Sequence, residues 1–525
     1  MKKIKISFML KRALDNCLSN NLFEAKKIYS EILKKFPKQP EALSNLGSIE
    51  LQLGNVASGI ELLKKSTKID ESQSNAQFNL ANGLIKIGEY DEALQVLNIC
   101  IKYNPNNAEA YNNRGTIFNH FGRFDEALDN YNSAIRLKPD YMEAYSNRGA
   151  IFNHFGRFDQ ALDDFNSAIR LKPDYADNFN QLGLTLYRLG KYDDAILNYK
   201  KAIILNPNLF EAQNNLGLIY LHTKNFKEGW PLYEKRHLAI QSNHEKYFSK
   251  LLVNFSQLNQ SKLLITGEQG IGDNIIYSSL FSNLTNNRNK YIVAFDKRLI
   301  NIYQRSFPDI QFVSLEEKDG VLHDFYLPIG NLGNIFISST LDFKRQPIKF
   351  LQDDKSLTKQ FKSKLNLKKQ YICGISWKSK NEALSGSKNI PLDKLASILQ
   401  IKNITFIDLQ YGETMDDKNK IEDKYGIKIK SITELDKFND IDGLASMISA
   451  CDFVITISNI TAHLAGALGI KTYLLLPYSF GKIWYWHEGE GKSLWYPSIE
   501  MYSQSVAGDW ESPVNAISEK LKKYD

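Results

Sequence analysis

The sequence predicts an α superhelical solenoid of stacked helical hairpins followed by an α/β region built as two doubly wound parallel-sheet lobes, the first of them short. Three observations carry this prediction. Small residues return every 34 positions through the first part of the chain. Prolines close successive units at the same spacing. From about residue 261, short β-branched runs alternate with amphipathic helical stretches.

The repeat rests on several residue series that agree. One is Gly47, Ala81, Gly115, Gly149, Gly183 and Gly217; a second is Ala25, Gly59, Ala93, Ala127, Ala161, Ala195 and Gly229. Pro37, Pro105, Pro139, Pro173 and Pro207 end successive units, with Glu71 where one proline is missing. Two helices that cross closely need small residues at the crossing, and a proline beyond the second helix stops it. Residues 113–141 and 147–175 are near duplicates, differing only at Thr116/Ala150, Glu126/Gln160, Asn130/Asp164 and Tyr131/Phe165. The array resembles the tetratricopeptide repeat, which implies a concave surface for a protein or peptide partner. It spans 5–242, and its last unit, FKEGWPLYEKRH, reads as a cap.

An amide returns at the same period on the first helix of each hairpin: Asn45, Asn79, Asn113, Asn147, Gln181 and Asn215. Such a series either pairs with the backbone of an extended peptide or makes local hydrogen bonds. It is similar to the asparagine ladder of nucleocytoplasmic protein O-linked N-acetylglucosamine transferases, and that similarity covers the array alone.

Composition sets further bounds. The net charge of +7 over 525 residues comes from scattered lysines, with no basic run of the kind that tracks nucleic acid. Four cysteines, Cys17, Cys100, Cys373 and Cys451, lack disulfide-framework or metal-ligand spacing, so no metal is expected. Lys11 and Arg12 break the only apolar stretch near the N-terminus, and no run approaches a membrane span. The expectation is a soluble, cytoplasmic protein.

Strands are predicted at KLLIT (262–266), YIVAF (291–295), QFVSL (311–315), YICGISW (371–377), ITFIDL (404–409), FVITIS (453–458) and TYLLL (472–476). They divide the region into a linker at 243–260, a first lobe at 261–345, an inter-lobe linker at 346–369 and a second lobe at 370–525. Parallel sheets of this kind bind ligands beyond the carboxyl ends of their strands.

Two strand–turn–helix junctions carry the chemistry. In ITGEQGIGDNIIYSSL, Gly270 and Gly272 permit tight turning, and Asp273 stands at the mouth of a helix, as a cap or as a carboxylate facing a cleft. In CDFVITISNITAHLAGALG, Ser458 and Asn459 precede a helix whose N-terminus suits a diphosphate, and His463 lies one turn in.

Together with SWKS (376–379), KNIP (388–391), LQYGE (409–413), AHLAGALG (462–469) and the closing WYPSIEMYSQ…GDW, these junctions resemble bacterial glycosyltransferases of the heptosyltransferase type, especially forms with an N-terminal tetratricopeptide array. The resemblance implies a two-lobed GT-B architecture and an inverting, metal-independent transfer from a nucleoside-diphosphate sugar, with no cofactor. It implies that Asp273 is the general base on the acceptor. Lys388 would neutralise phosphate, and Glu413 would hold the ribose. Ser458, Asn459, Thr461 and His463 would bind diphosphate and sugar, with Gly270, Gly272, Ser376 and Lys378 completing the donor site. Ser458–Asn459 stands where the family commonly has Asp–Thr, and Lys388 where relatives often carry Arg. The alternative is an interaction scaffold whose transferase-like domain has lost turnover.

Overall fold

The computed structural model describes residues 2–236, 251, 261–284, 288–365, 370–379, 387–487 and 491–524. The chain forms two compact units, Met1–Leu182 and Gly183–Asp525. The array expected to run unbroken to 242 is therefore shared between them: its last hairpins belong to the second unit, and 237–242 fall outside the described residues.

Fourteen helices, α1 (Lys2–Leu18) through α14 (Phe226–Tyr233), form the hairpins. The small-residue series explains their packing. A Cβ on Gly115 would lie 2.8 Å from the Tyr131 ring, and one on Gly183 would lie 2.9 Å from Tyr199. Ala25, Ala93, Ala127, Ala161 and Ala195 are fully buried on the partner helices. A further series closes each first helix. Gly54, Gly88, Gly122, Gly156 and Gly190 have φ of +72 to +84°, a conformation that glycine adopts without a Cβ penalty. Asn20 and Lys224 hold the same position at the two ends of the array, with φ of 56° and 65°. Among the described residues, no helix is long and apolar enough to cross a membrane.

Beyond the hairpins the second unit contains two sheets with only parallel pairings between their strands. The first has the order β3-β2-β1-β4, from β1 (Leu263–Thr266), β2 (Tyr291–Phe295), β3 (Gln311–Ser314) and β4 (Phe325–Pro328). The second has the order β6-β5-β7-β8-β9, from β5 (Tyr371–Ser376), β6 (Ile404–Asp408), β7 (Phe453–Ile457), β8 (Thr472–Leu476) and β9 (Ile499–Ser503). Every residue of β1, β2, β7 and β8 is buried, as expected of parallel strands covered on both faces. The seven predicted strands all form, and β4 and β9 are additions.

Helices α15 (Ile271–Ser278), α16 (Ile300–Ser306) and α17 (Leu332–Phe336) belong to the first sheet; α19 (Ile441–Ala450), α20 (Ile460–Ala467) and α21 (Glu511–Leu521) belong to the second. The segment expected as an inter-lobe linker is instead largely structured. It contains α18 (Lys355–Leu365), where Thr358 donates to Asp353 at 2.7 Å and to the Ser446 carbonyl of α19 at 3.3 Å. Phe350 and Leu351 donate their amides to the Ala467 carbonyl at the end of α20. Residues 366–369 lie outside the described residues, as does the expected linker at 243–260 apart from Leu251, which bridges Tyr326 of β4.

Within this unit the cap joins the first lobe through aromatic packing. Trp230 is fully buried, edge-on to Trp484 at 5.5 Å and to Tyr277 of α15 at 6.4 Å. Gly333 of α17 makes room for it, because a Cβ there would overlap the indole. Deleting a buried tryptophan leaves a cavity that costs ~3–5 kcal/mol. Trp230→Ala should therefore lower the unfolding free energy of Gly183–Asp525 by that amount, read by denaturant titration, and an unchanged midpoint would show that this packing contributes little.

Candidate functional site

Strand order fixes where a site forms. In the first sheet the chain moves from β1 to β2 and β3 on one side, then returns to place β4 on the other. In the second, β6 and β7 flank β5. Turns leaving β1, β5 and β7 therefore open at switch points, where no adjacent connection fills the crevice.

After β1, the turn 267–270 leads into α15, with Gly270 as N-cap residue. Asn274 closes it from both sides: its Oδ1 accepts from the Glu268 amide at 2.6 Å, and its Nδ2 donates to the Glu268 carbonyl at 3.1 Å. After β7, Asn459 caps α20, its Oδ1 accepting from the Thr461 amide at 3.0 Å. Asn459 Nδ2 donates to Ser376 Oγ at 2.7 Å and to the Lys378 carbonyl at 3.2 Å, tying the end of β7 to the end of β5. Ser458 Oγ accepts from the Trp486 indole at 2.9 Å.

The two helix starts meet directly. A Cβ on Gly272 would lie 2.8 Å from His463 Cδ2, so glycine is required for this approach. Between the lobes lies a cavity of about 420 Å3, lined by residues of both turns. Gly270, Gly272, Asp273, Lys388, Ser458, Asn459 and His463 reach it, seven of the eleven residues proposed for catalysis and donor binding. Arg298, Tyr411, Lys437 and Phe438 also line it and were not anticipated.

Its electrostatics favour an anion. Lys388, Lys437 and Arg298 are the cations in the wall, and Asp273 is the carboxylate. Lys437 pairs with Asp408 at 3.1 Å and Arg298 with Asp296 at 2.8 Å, so much of their charge is already compensated. Lys388 is almost wholly buried. Burial lowers its ammonium to about 8, with Asp273 pulling the other way. Burial and the charge of Glu268 push Asp273 up to about 7, against the pull of Arg236 and Lys388. His463 is held neutral, its pKa lowered to about 3 by burial and by Lys388. Its ring nitrogens meet the Tyr496 hydroxyl at 3.0 Å and the Tyr485 hydroxyl at 3.2 Å. It shapes the wall without bringing charge to a phosphate. Among the described residues, no group of three or more His, Cys, Asp or Glu is placed to hold a metal.

Four expected donor residues lie elsewhere. Ser376 is buried, its hydroxyl donating to Gln410 Oε1 at 3.0 Å; it supports Asn459 rather than a ligand. Lys378 forms an ion pair with Asp417. Glu413 is exposed, because Gly412 with φ of +83° turns the chain outward after Tyr411. Thr461 is fully buried within α20. Trp484, Trp486, Trp495 and Tyr496 are buried packing residues.

The amide series stitches neighbouring repeats together. Asn79 donates to Ser48 at 2.7 Å, Asn113 to Asn82 at 2.7 Å and Asn147 to Asn112 at 3.0 Å; Asn45 donates to the Tyr29 hydroxyl at 2.9 Å. One amide hydrogen of each is thus engaged within the array. Gln181 and Asn215 are partly buried.

Family models match the hairpins. Residues 19–74, 78–141 and 121–176 match the tetratricopeptide repeat model, and 183–223 match a second TPR repeat model. The chain carries tetratricopeptide repeats. Protein FlbA of Caulobacter vibrioides is 24% identical over 319 residues, covering 57% of this chain and 52% of that protein, so the chain spans about half the length of this curated relative. The crystal structure of MamA is 27% identical, covers 31% of this chain and 96% of its own, and superposes with a TM-score of 0.29. YrrB, a TPR protein with an unusual peptide-binding site, is 20% identical, with 35% and 95% covered and a TM-score of 0.31.

The approach of α15 to α20 is open to test. Gly272→Ala should destabilise the second unit by ~1–3 kcal/mol through overpacking against His463, read by denaturant unfolding. Wild-type stability in that variant would mean that the two helices separate freely.

Proposed function

We propose that Gly183–Asp525 is an inverting, metal-independent glycosyltransferase of the GT-B, heptosyltransferase-like type, using a nucleoside-diphosphate sugar while the repeats recruit a protein or peptide acceptor. The observation that carries this reading is a single cavity where Asp273, Lys388 and the N-terminus of α20 converge. Asp273 takes the proton of an acceptor hydroxyl as that oxygen attacks the anomeric carbon. The bond from that carbon to the diphosphate oxygen breaks on the opposite side. The electron pair leaves on the diphosphate, where Lys388 and the positive N-terminal end of α20 at Ile460 offset the developing charge. The Tyr411 and Phe438 rings, 6.1 Å apart at one side of the cavity, offer apolar faces to a nucleobase.

A second reading is a tetratricopeptide scaffold with a transferase-like domain that binds a nucleotide sugar without turnover. Ser458 favours it: its hydroxyl accepts from Trp486 and supplies no charge near an anomeric carbon.

The readings separate by assay across a panel of nucleoside-diphosphate sugars. Under the transferase reading one donor is turned over, and Asp273→Asn lowers the rate by about 10²–10⁴-fold while a thermal-shift assay shows donor binding retained. Equal rates for variant and parent would remove Asp273 as base; donor binding with no turnover in the parent supports the scaffold.

The pH profile has a predicted sign. Below about 7 Asp273 holds its proton and cannot accept another, so the rate rises through that value. Above about 8 Lys388 loses its charge and the rate falls again, giving a narrow bell that belongs to the pair.

A further inference from the structure

We propose that Arg236, from the segment that closes the repeat array, is a positioning residue for the turn that carries Asp273; this rests on the reading of Asp273 as the base. Arg236 follows α14 and is almost fully buried. Its Nη2 donates to Glu268 Oε1 at 2.5 Å, its Nε to Oε2 at 3.5 Å and its Nη1 to the Tyr233 carbonyl at 3.2 Å. The guanidinium lies over the Tyr233 ring, 4.3 Å from its centre. A planar fork over an aromatic face is a role that lysine does not reproduce.

Glu268 belongs to the glycine-rich turn. Its Oε1 also accepts from the Gly330 amide at 3.1 Å, at the end of β4. Gly330 leaves room for the pair, since a Cβ there would lie 2.6 Å from Arg236 Nη2 and 2.7 Å from Glu268 Oε1. The Glu268 backbone is bound in both directions by Asn274, the residue next to Asp273. A guanidinium from the cap thus fixes a carboxylate, the carboxylate fixes the turn, and the turn presents the base.

The same chain of contacts sets charge. Glu268 opposes ionisation of Asp273, Arg236 offsets it, and Lys388 assists from the second lobe. In the cavity wall Arg298 and Lys437 are paired with Asp296 and Asp408, and the tyrosines and histidine around Asp273 are neutral at pH 7. The Tyr277 hydroxyl donates to the Tyr233 hydroxyl at 3.1 Å, and the Tyr485 and Tyr496 hydroxyls lie against neutral His463. Arg236 and Glu268 therefore act as a matched pair beside the base, and removing either one unbalances it.

Glu268→Gln is nearly isosteric and leaves Arg236 uncompensated. In the full chain carrying 13C-labelled aspartate carboxyls, the Asp273 resonance is assigned by its loss in Asp273→Asn and titrated without ligand. The midpoint should fall by about one pH unit or more in Glu268→Gln, the size expected for an unbalanced cation nearby. It should return to the parent value in Arg236→Met/Glu268→Gln, which a purely structural role for Arg236 would not produce. Parent-like titration of Glu268→Gln, or a double variant displaced as far as the single one, overturns the proposal. Calorimetry of the parent with inorganic pyrophosphate tests the transferase reading separately. Absence of binding there, with the midpoint shift intact, rejects the donor site and leaves the control of Asp273 by Arg236 in place.

Discussion

The close approach of α15 to α20 is the constraint on which the site depends. Each helix begins at the carboxyl end of a switch-point strand, and each brings the positive end of its dipole to its first turn. Only with a bare Cα at Gly272 can the first turn of one rest against the His463 ring of the other. That contact brings an acidic helix mouth and an anion-seeking helix mouth to one cavity. Burial of the surrounding side chains then shifts Asp273 upward and Lys388 downward, toward each other. The perturbation follows from the packing, because charge taken out of water without full pairing is disfavoured.

The repeats contribute on two levels. Within Met1–Leu182 they are self-sufficient, since glycine and alanine crossings, left-handed turns and bridging amides recur with one period. In Gly183–Asp525 the last hairpins serve as part of an α/β body. The aromatic series Tyr131, Phe165 and Tyr199 continues to Tyr233, which meets Tyr277 of α15 instead of a further repeat. Trp230 and Arg236 extend that junction, one through apolar burial and the other through charge.

Much of this was legible in the sequence because it depends on period and adjacency. The 34-residue spacing is preserved wherever backbones must touch, and the β-branched runs mark strands whose both faces are covered. The two junctions could be read because a glycine-rich turn and an Asn cap leave local signatures. Direction was harder to read. Glu413 and Thr461 lie in the right motifs, yet one is turned out by Gly412 and the other faces the interior of its helix layer. Strands β4 and β9 went unseen because FYLP ends in proline and IEMYS is short, half-exposed and free of β-branched residues after Ile499. Arg236 was invisible for a different reason. A single arginine in a basic cap, 32 residues before its carboxylate, has no pattern to betray it.

The near duplication of 113–141 and 147–175 has a corollary for how such a chain can vary. Because each unit of such an array contacts only its neighbours, copying or deleting one whole module within Met1–Leu182 leaves the packing inside Gly183–Tyr233 unaltered. The reach of the scaffold is thereby free to drift in steps of one unit, while the pocket and its cap are inherited as a fixed block.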